Sequence, residues 1–185
     1  CAGGTTGLVN TIDRHNFNAD EDATDWADLN VANSWSGGCS SAAYGYQIGG
    51  GDVPSKLEIQ KFPFASQTNA SDVGDIGTSR SSHACNNSLT HAYSSGGNSG
   101  TQSIEKFLFA TDASVTAVGD LSYGTGQQEC PSNSPTHGYQ AGGQYSVHDV
   151  IQKFSFVADA NSIDVGNLAI KGTGGGSPPV AGWQV

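Results

Sequence analysis

The 185-residue sequence predicts an all-β fold built from four repeats. Three observations support this prediction: glycine pairs recur at a nearly constant spacing, a segment of alternating apolar and polar residues follows each pair, and no segment has the period of an amphipathic helix. The pairs are Gly3-Gly4, Gly49-Gly50, Gly96-Gly97 and Gly142-Gly143, which lie 46, 47 and 46 residues apart.

The segments that follow the glycine pairs are TIDRHNF, EIQKFPF, SIEKFLF and VIQKFSF. Their alternation is typical of β-strands, and three of them share the pattern I-x-K-F, beginning at Ile59, Ile104 and Ile151. Because Ile and Phe are three positions apart, they point to opposite faces of a strand. We expect the same strand in successive sheets, with both faces covered and the Lys charge carried to the rim. The first repeat departs, with Arg14 and His15 in place of Lys and Phe.

Two further strand signals occur in each repeat. Apolar residues recur fourteen and seventeen positions after each Ile, at Trp26, Val73, Val118 and Val165, and at Leu29, Ile76, Leu121 and Leu168. Segments rich in Asp, Asn, Ser and Ala connect these strands to the preceding ones. A short alternating segment, YGYQI, HAYSS or HGYQA, ends at each later glycine pair. Each repeat therefore offers about four short strands.

A single sheet of four short strands leaves both apolar faces in water, and radial stacking of such sheets at this period is the β-propeller. We expect one domain, residues 1–185, with repeats at about 1–47, 48–94, 95–140 and 141–185. Residues 1–4 align with 47–50, and residues 182–185 with 45–48. This phase predicts four blades closed by pairing of the N- and C-terminal segments. A section of a longer array, or pairing with the next subunit of a filament, are the alternatives.

The repeat resembles the kelch-type propeller repeat, which combines a glycine pair after a short strand, an aromatic residue in the next strand, a tryptophan before a turn, and an Arg-x-x-His element. The segment RSSHA at 80–84 matches the last of these, although it occurs once, and three repeats have Val at the tryptophan position. The matching structural anchors are Gly49, Gly50, Gly96, Gly97, Gly142, Gly143, Phe62, Phe107, Phe154 and Trp26. The sequence pattern KFxFAxDAxxxDVGDL is also similar to repeat arrays of phage tail-fibre-like and other extracellular surface proteins. This resemblance implies a structural role.

Composition narrows the class of partner. Seven Lys and Arg against seventeen Asp and Glu give a net charge of −10, which disfavours nucleic acids and anionic membranes. No apolar run is long enough to insert into a membrane. The start at Cys1 favours a processed or trimmed product, and the low charge and absence of Met favour an extracellular or virion-surface location.

Several of the residue types most often used in catalysis or metal binding occur at equivalent positions of the repeat. Cys39, Cys85 and Cys130 share one phase, which favours small buried residues of an inner strand over a thiolate metal site. Four cysteines allow three disulfide pairings. His91 and His137 share a repeat position, which favours a structural role. The acidic segment 19–28 lacks calcium-loop spacing. We therefore predict no catalytic residue, no metal site and no cofactor.

Aromatic residues separate into two groups. Tyr46, Tyr93, Tyr139 and Trp183 share one phase, which favours packing between sheets. Trp35 and Tyr145 lie outside that phase and are the ligand-binding candidates, with glycans as the expected ligand. Asn69 and Asn86 fit the N-x-S acceptor pattern and are the glycosylation candidates.

These observations favour a noncatalytic structural or adhesive surface module, a propeller subunit of an extracellular filament or virion fibre. Its expected partners are copies of itself or neighbouring subunits. One alternative is a glycan-binding, lectin-like propeller. A less favoured alternative is an enzyme that cleaves or oxidises sugars.

Overall fold

A computed structural model of the chain describes residues 7–51, 56–124, 130–143 and 149–169. This part of the chain contains fourteen β-strands and one 3-10 helix, Asn98–Gly100. The strands are β1 (Val9–Arg14), β2 (Thr24–Asn33), β3 (Gly37–Ser40), β4 (Tyr44–Ile48), β5 (Glu58–Pro63), β6 (Ser71–Asp75), β7 (Ala84–Asn87), β8 (His91–Ser95), β9 (Ser103–Leu108), β10 (Thr116–Asp120), β11 (Cys130–Asn133), β12 (His137–Ala141), β13 (Val150–Ser155) and β14 (Ile163–Asn167). No helix in the described ranges is long and apolar enough to cross a bilayer.

The strands form four antiparallel sheets in chain order. The first sheet contains β1 and β2, the second β3 to β6, the third β7 to β10, and the fourth β11 to β14. In each four-stranded sheet every strand pairs with its neighbour in the sequence. The all-β, propeller-like architecture of repeated small sheets is thus confirmed. The predicted pairing of the N- and C-terminal segments lies outside the described residues.

The two strands of the first sheet correspond to the last two strands of the other sheets. Strand pairing shows this directly: Thr11 pairs with Asp28, Glu58 with Asp75, and Ser103 with Asp120. All six residues occupy matching positions of the repeat, since each pair begins one residue before the Ile of its strand. The first sheet therefore lacks, within the described residues, the two strands that would continue it beyond β1.

Apolar clusters lie between successive sheets. Ile59 and Phe107 belong to one cluster, between the second and third sheets, and Ile104 and Phe154 belong to the next. Phe62 packs on the cluster of Ile12 between the first and second sheets. Each Ile therefore faces the following sheet and each Phe the preceding one, as the I-x-K-F pattern predicts.

A tyrosine of the second strand strengthens two of these junctions. Tyr46 stacks on Phe109 at a ring-centroid distance of 5.0 Å, and Tyr93 stacks on Phe156 at 4.7 Å. Both tyrosines are almost fully buried, with exposures of 2% and 1%. This repeated contact agrees with the predicted packing role of the tyrosines in this phase.

A glycine pair follows the second strand of each four-stranded sheet. All six described members, Gly49, Gly50, Gly96, Gly97, Gly142 and Gly143, have positive φ angles. At Gly50 (φ 101°) a Cβ atom would lie 2.5 Å from Asn33 Oδ1, so both the backbone and the space require glycine. The pairs fall between the second and third strands. Each sheet therefore combines the end of one sequence repeat with the start of the next.

The lysines of the I-x-K-F strands reach across to the next sheet at the rim. Lys61 Nζ pairs with Asp112 and Lys106 Nζ pairs with Asp159, and both acids belong to the turn after the third strand of that sheet. The predicted position of the lysine charge is thus observed at two successive junctions.

Candidate functional site

An open groove lies between the first and second sheets. It encloses about 500 Å³ and is bounded by β1 and its following turn on one side and by β3, β4 and β5 on the other. The lining residues are Ile12, Asp13, Arg14, His15, Phe17, Trp26, Ser36, Gly37, Gly38, Cys39, Ser40, Gly45, Tyr46, Gln47, Phe62, Pro63 and Phe64. The groove occupies the place where the other sheets have their first two strands.

One wall of the groove is a strand edge. β1 pairs with β2 along one side, and within the described ranges no strand pairs with its other side. The corresponding side of β5 pairs with β4, and that of β13 pairs with β12. The groove therefore runs along the side of β1 on which the other sheets continue.

The opposite wall is aromatic. Phe62 and Phe64 meet edge to face at 6.2 Å, and Phe64 is 46% exposed. The equivalent pairs in the third and fourth sheets are covered by Tyr46 and Tyr93, respectively. Among the described residues no ring covers Phe62 and Phe64 in this way. Within the described residues Phe62 and Phe64 are therefore the uncovered counterpart of two covered pairs.

The first sheet adds cationic and aromatic groups at the end of the groove. The Arg14 guanidinium lies 3.9 Å from the centre of the Trp26 ring, and His15 meets Phe17 edge to face at 4.9 Å. Phe17 is 92% exposed. Aromatic rings of both sheets and one cationic side chain therefore meet at this end of the groove.

Polar side chains of one sheet donate and accept hydrogen bonds with the backbone at the end of the preceding sheet. Gln60 accepts a hydrogen bond from Val31 N (2.8 Å) and donates one to Val31 O (3.0 Å). Gln152 makes the same two bonds with Tyr123, at 3.0 and 3.2 Å. Val31 lies near the end of β2, and Tyr123 follows the end of β10. We call this end of the last strand and the residues after it the exit segment of a sheet, and we call each Gln an amide clamp, because one side-chain amide satisfies both backbone polar groups of an exit-segment residue.

The junction between the second and third sheets has a charged version of the clamp. Glu105, at the repeat position of the glutamines, accepts a hydrogen bond from Gly77 N at 3.2 Å. Arg80 Nε donates to Thr78 O at 3.2 Å, and its Nη2 lies 3.2 Å from Glu105 Oε1. Both side chains are buried. The RSSHA segment therefore contributes an inter-sheet ion pair.

Of the two ligand-binding candidates, Trp35 is described, and it is not among the residues that line the groove. Trp35 is 38% exposed, in the connection between β2 and β3, with a φ of 52°. Its carbonyl accepts a hydrogen bond from Ser82 N at 2.7 Å, which fixes this uncommon conformation. Tyr145 lies outside the described residues. Trp26, a predicted structural anchor, is half-buried within β2 and faces the groove.

The two glycosylation candidates differ. Asn69 is exposed, and its Oδ1 accepts a hydrogen bond from Asp28 N at 3.1 Å. Asn86 is fully buried in β7, and its Nδ2 donates to Ser132 O at 2.9 Å and to Asn133 Oδ1 at 2.8 Å. In the folded chain the Asn86 nitrogen faces the fourth sheet, whereas that of Asn69 lies at the surface, so glycosylation of Asn69 is the better supported of the two predictions.

The cysteines lie where their shared phase predicts. Cys39, Cys85 and Cys130 belong to β3, β7 and β11, the first strands of their sheets, and all three are free thiols. Burial, and then the neighbouring Cys85, raise the pKa of Cys39 well above its usual value, and burial raises the pKa of Cys130. Cys85 is buried and the other two are half-buried, and a thiol with a raised pKa is a poor nucleophile.

The histidines also separate by position. His91 and His137 each hydrogen-bond a preceding threonine hydroxyl, at 2.8 and 2.9 Å, which fits a repeat-encoded structural role. His83 is buried, and neither of its ring nitrogens has a hydrogen-bond partner in the described structure. In the described ranges no three His, Cys, Asp or Glu side chains are grouped so that they could hold a metal ion.

Sequence reasoning did not identify the groove. Its walls are residues with ordinary repeat roles, and the missing strands are a property of the assembled sheets. One signal did point there: Arg14 and His15 replace the Lys and Phe of the other three strands. Both residues line the groove together with Phe17.

Comparison with known proteins supports the fold described above. No protein-family model matches the chain, and no curated protein matches its sequence. A solved structure of YjhT is similar, with a TM-score of 0.66 and 12% sequence identity over 81% of this chain. The chain spans 57% of the length of that structure. At this identity the similarity shows the fold alone.

Proposed function

We propose that this chain is a noncatalytic structural or adhesive surface module, a kelch-type propeller that assembles with copies of itself or neighbouring subunits outside the cell or on a virion. One observation carries the proposal: large apolar side chains project from one end of the sheets. Phe17, Leu89 and Val157 are 92%, 99% and 82% exposed. Exposed apolar surface of this kind favours protein contact.

The topology groups these side chains. Phe17 lies in the turn between β1 and β2, Leu89 between β7 and β8, and Val157 between β13 and β14. In an antiparallel sheet, the turn after the first strand and the turn after the third strand lie at the same end. The three side chains therefore project from equivalent ends of three sheets, which we call the turn end.

The polar groups in the interior support a scaffold. The amide clamps and the Arg80–Glu105 pair are engaged in joining one sheet to the next. Because these buried polar side chains join the sheets, we assign the contacts with other molecules to the surface of the module.

We further propose four blades, with the first completed by chain added along β1. The two-stranded first sheet of the described residues and the groove beside it support this closure. Chain added in the groove also covers the exposed Phe64 of the aromatic wall.

Association of the purified full chain tests the proposal. Imaging and sedimentation at several concentrations are expected to show particles that join into larger assemblies as concentration rises. Replacing Leu89 and Val157 by serine is expected to weaken this association. The matched control is Leu57→Ser, because Leu57 is 39% exposed and precedes β5 at the opposite end. Single particles at every concentration would contradict an assembling module.

A glycan-binding function is the second candidate, and the exposed, conformationally fixed Trp35 favours it. A broad glycan array is the test. Trp35→Ala is expected to abolish any signal, whereas Tyr44→Ala is the matched control, since Tyr44 has the same 38% exposure. Silence across the array would remove this candidate.

A further inference from the structure

The fourth sheet exposes a face that the earlier sheets bury. In those sheets, the Ile of the strand after the glycine pair faces the following sheet and is at most 2% exposed, at Ile12, Ile59 and Ile104. The apolar residue seventeen positions later is at most 3% exposed, at Leu29, Ile76 and Leu121. The counterparts in the fourth sheet, Ile151 and Leu168, are only half-buried. The apolar positions that fill each junction are therefore partly uncovered on the fourth sheet.

Two further residues extend this uncovered surface. Tyr139 is half-buried, whereas Tyr46 and Tyr93 at the same repeat position are almost fully buried. Val165 is 44% exposed, whereas its counterparts in the second and third sheets are half-buried against the apolar clusters of the following junctions. The uncovered surface, which we call the fourth-sheet face, is formed by Tyr139, Ile151, Val165 and Leu168.

The first sheet carries the kind of aromatic pair that such a face covers. The tyrosines of the second and third sheets each stack on a phenylalanine that lies five positions after the Ile of its strand. Phe17 holds this position in the first sheet and meets His15 edge to face at 4.9 Å. Alternation along β1 turns His15 to the face opposite Ile12, which packs toward the second sheet. Within the described ranges no tyrosine covers this pair, and Tyr139 stacks on no phenylalanine.

The charged residues at the rim repeat this match. The acids that pair with the lysines of the second and third sheets lie eight positions after the Ile of their own strands, at Asp112 and Asp159. In the first sheet this position is Asp20, which is exposed. The lysine of the fourth sheet is Lys153. Among the described residues neither Asp20 nor Lys153 has an ion-pair partner.

The junction between the first and second sheets shows what happens without the acid. The second sheet has Gln67 at the position of Asp112 and Asp159. The basic residue of the first sheet, Arg14, lies over the Trp26 ring at 3.9 Å instead. An inter-sheet ion pair at the rim therefore forms where the following sheet supplies the acid, and the first sheet supplies one for the lysine of a fourth sheet.

We propose that copies of this chain join head to tail, with the fourth-sheet face of one copy packed on the first sheet of the next. Tyr139 then stacks on Phe17 of the next copy, and Lys153 pairs with Asp20 of that copy. This deepens the assembling module put forward under the proposed function and rests on it. The contact is heterologous, so each end copy keeps one half of a junction for a further copy, and the copies grow into a filament or close into a ring.

A second copy is the occupant because the two halves do not cover one another within one chain. Val165 is 44% exposed and Phe17 is 92% exposed in the folded chain. The three junctions inside the chain fix the position of the fourth sheet relative to the first, whereas the first sheet of another copy can approach freely. Burial of the exposed apolar side chains on both halves favours this approach.

Complementation between two blocked variants of the full chain tests the junction. Val165→Asp places a charge on the fourth-sheet face, and Phe17→Asp places one on the first sheet. Both positions are exposed, so both variants are expected to fold, which circular dichroism checks. In sedimentation each variant alone is expected to associate at least about tenfold more weakly than the unsubstituted chain, because the junction would bury an unpaired charge.

Mixing the two variants gives the sharper result. The Phe17→Asp copy keeps an intact fourth-sheet face and the Val165→Asp copy keeps an intact first sheet, so the mixture is expected to form dimers of one copy of each and nothing larger. Leu57→Asp is the matched control, because Leu57 is 39% exposed and belongs to neither half of the junction. This variant is expected to associate as the unsubstituted chain does.

Cross-linking with a carbodiimide tests the ion pair and the identity of the occupant. The reagent joins a lysine amine directly to a carboxylate in contact with it, so the Lys61–Asp112 and Lys106–Asp159 links within one chain are the internal controls. A link from Lys153 to Asp20 is expected between chains. Mixing isotope-labelled and unlabelled full chains before the reaction identifies it, since a link between chains joins labelled to unlabelled peptides.

The outcomes are distinct. Dimers in the mixture, with a Lys153–Asp20 link between chains, support the head-to-tail junction. A Val165→Asp protein that assembles as well as the unsubstituted chain overturns the junction and leaves the assembling module intact. A Lys153–Asp20 link that forms only within one chain overturns the assignment to a second copy. An unsubstituted chain that stays single at every concentration overturns the proposed function and the junction together.

Discussion

The junction between the first and second sheets (the first junction) and the junction between the second and third sheets (the second junction) both satisfy backbone N–H and C=O groups, but they use different side chains. At the first, Gln60 alone satisfies the N–H and C=O of Val31. At the second, Glu105 accepts from Gly77 N and Arg80 donates to Thr78 O. The tasks of one neutral amide are thus divided between two buried, opposite charges.

This difference shows what the repeat requires at its junctions. The exit segment of each sheet needs one acceptor and one donor, and the repeat position after Ile supplies the acceptor in either form. A glutamine supplies the donor as well, whereas a glutamate needs a second residue. Arg80 meets that need and also bonds Ser103 through O and Oγ, at 3.0 and 2.7 Å. The charged junction therefore has more hydrogen bonds than the neutral one. It is also more sensitive to substitution, because removal of either charged residue leaves the other charge buried and unpaired.

The largest effect is expected from breaking the charged junction. Arg80→Gln leaves the Glu105 carboxylate buried without its cation, which costs about 3 to 5 kcal/mol of unfolding free energy. Urea unfolding at neutral pH measures this. The double variant Arg80→Gln with Glu105→Gln converts the second junction to the chemistry of the first and is expected to recover part of the loss. A double variant no more stable than Arg80→Gln would show that the charge is not the cause.

The neutral junctions are expected to be weaker in a matched experiment. Gln60→Leu removes both hydrogen bonds to Val31 and leaves two partly buried backbone groups unpaired, at a cost of about 2 kcal/mol. Gln152→Leu does the same to Tyr123 and is the internal comparison, with a similar loss expected. Urea unfolding of both variants checks the equivalence. A loss below about 0.5 kcal/mol at both sites would contradict the role of the amide clamp.

Much of this comparison is visible in the sequence. The I-x-K-F pattern predicts that Ile59 and Phe107 lie on opposite faces of equivalent strands, and they meet across one junction. This prediction succeeds because the two-residue period of a strand fixes which face a side chain covers. The exchange of Gln60 for Glu105 at one repeat position is also visible in the sequence, but the partner of Glu105 is not, since no other repeat has Arg at the position of Arg80.

Properties that depend on neighbouring sheets were not predictable. The acceptor pattern at Asn86 carries no information on burial, and β7 places that side chain against the fourth sheet. The groove is a further case. Phe62 and Phe64 match their repeat counterparts in sequence, and only the missing cover distinguishes them.

Acid is expected to act through the second junction. Burial, and then the positive charge of Arg80, lower the pKa of His83 from 6.5 to about 3. The unfolded chain therefore binds a proton below pH 6.5 that the folded protein excludes until about pH 3. Unfolding free energy is expected to fall by up to about 1.4 kcal/mol per pH unit as pH decreases through this window, and to be insensitive to His83 above it.

Unfolding measured from pH 7 to pH 3.5 checks this. His83→Gln removes the titrating group and is expected to flatten the profile. The half-buried His91 is the control, because burial also lowers its pKa but less completely, so His91→Gln is expected to change the slope less. A profile for His83→Gln parallel to that of the unsubstituted protein would exclude His83 as the source.

The smallest effect is expected at the rim of the same junction. Lys61 pairs with Asp112 of the third sheet, where the side chains are 15% and 29% exposed. Ion pairs in contact with water contribute at most about 1 kcal/mol, and salt weakens them. Lys61→Met keeps the stem that covers the sheet and removes the charge, so a loss below about 1 kcal/mol that shrinks in molar salt is expected in urea unfolding. Lys106→Met is the matched variant at the next junction, where Asp159 is more exposed and the loss should be smaller still. A Lys61→Met loss as large as that of Arg80→Gln would mean that the rim, and not the buried pair, holds the second and third sheets together.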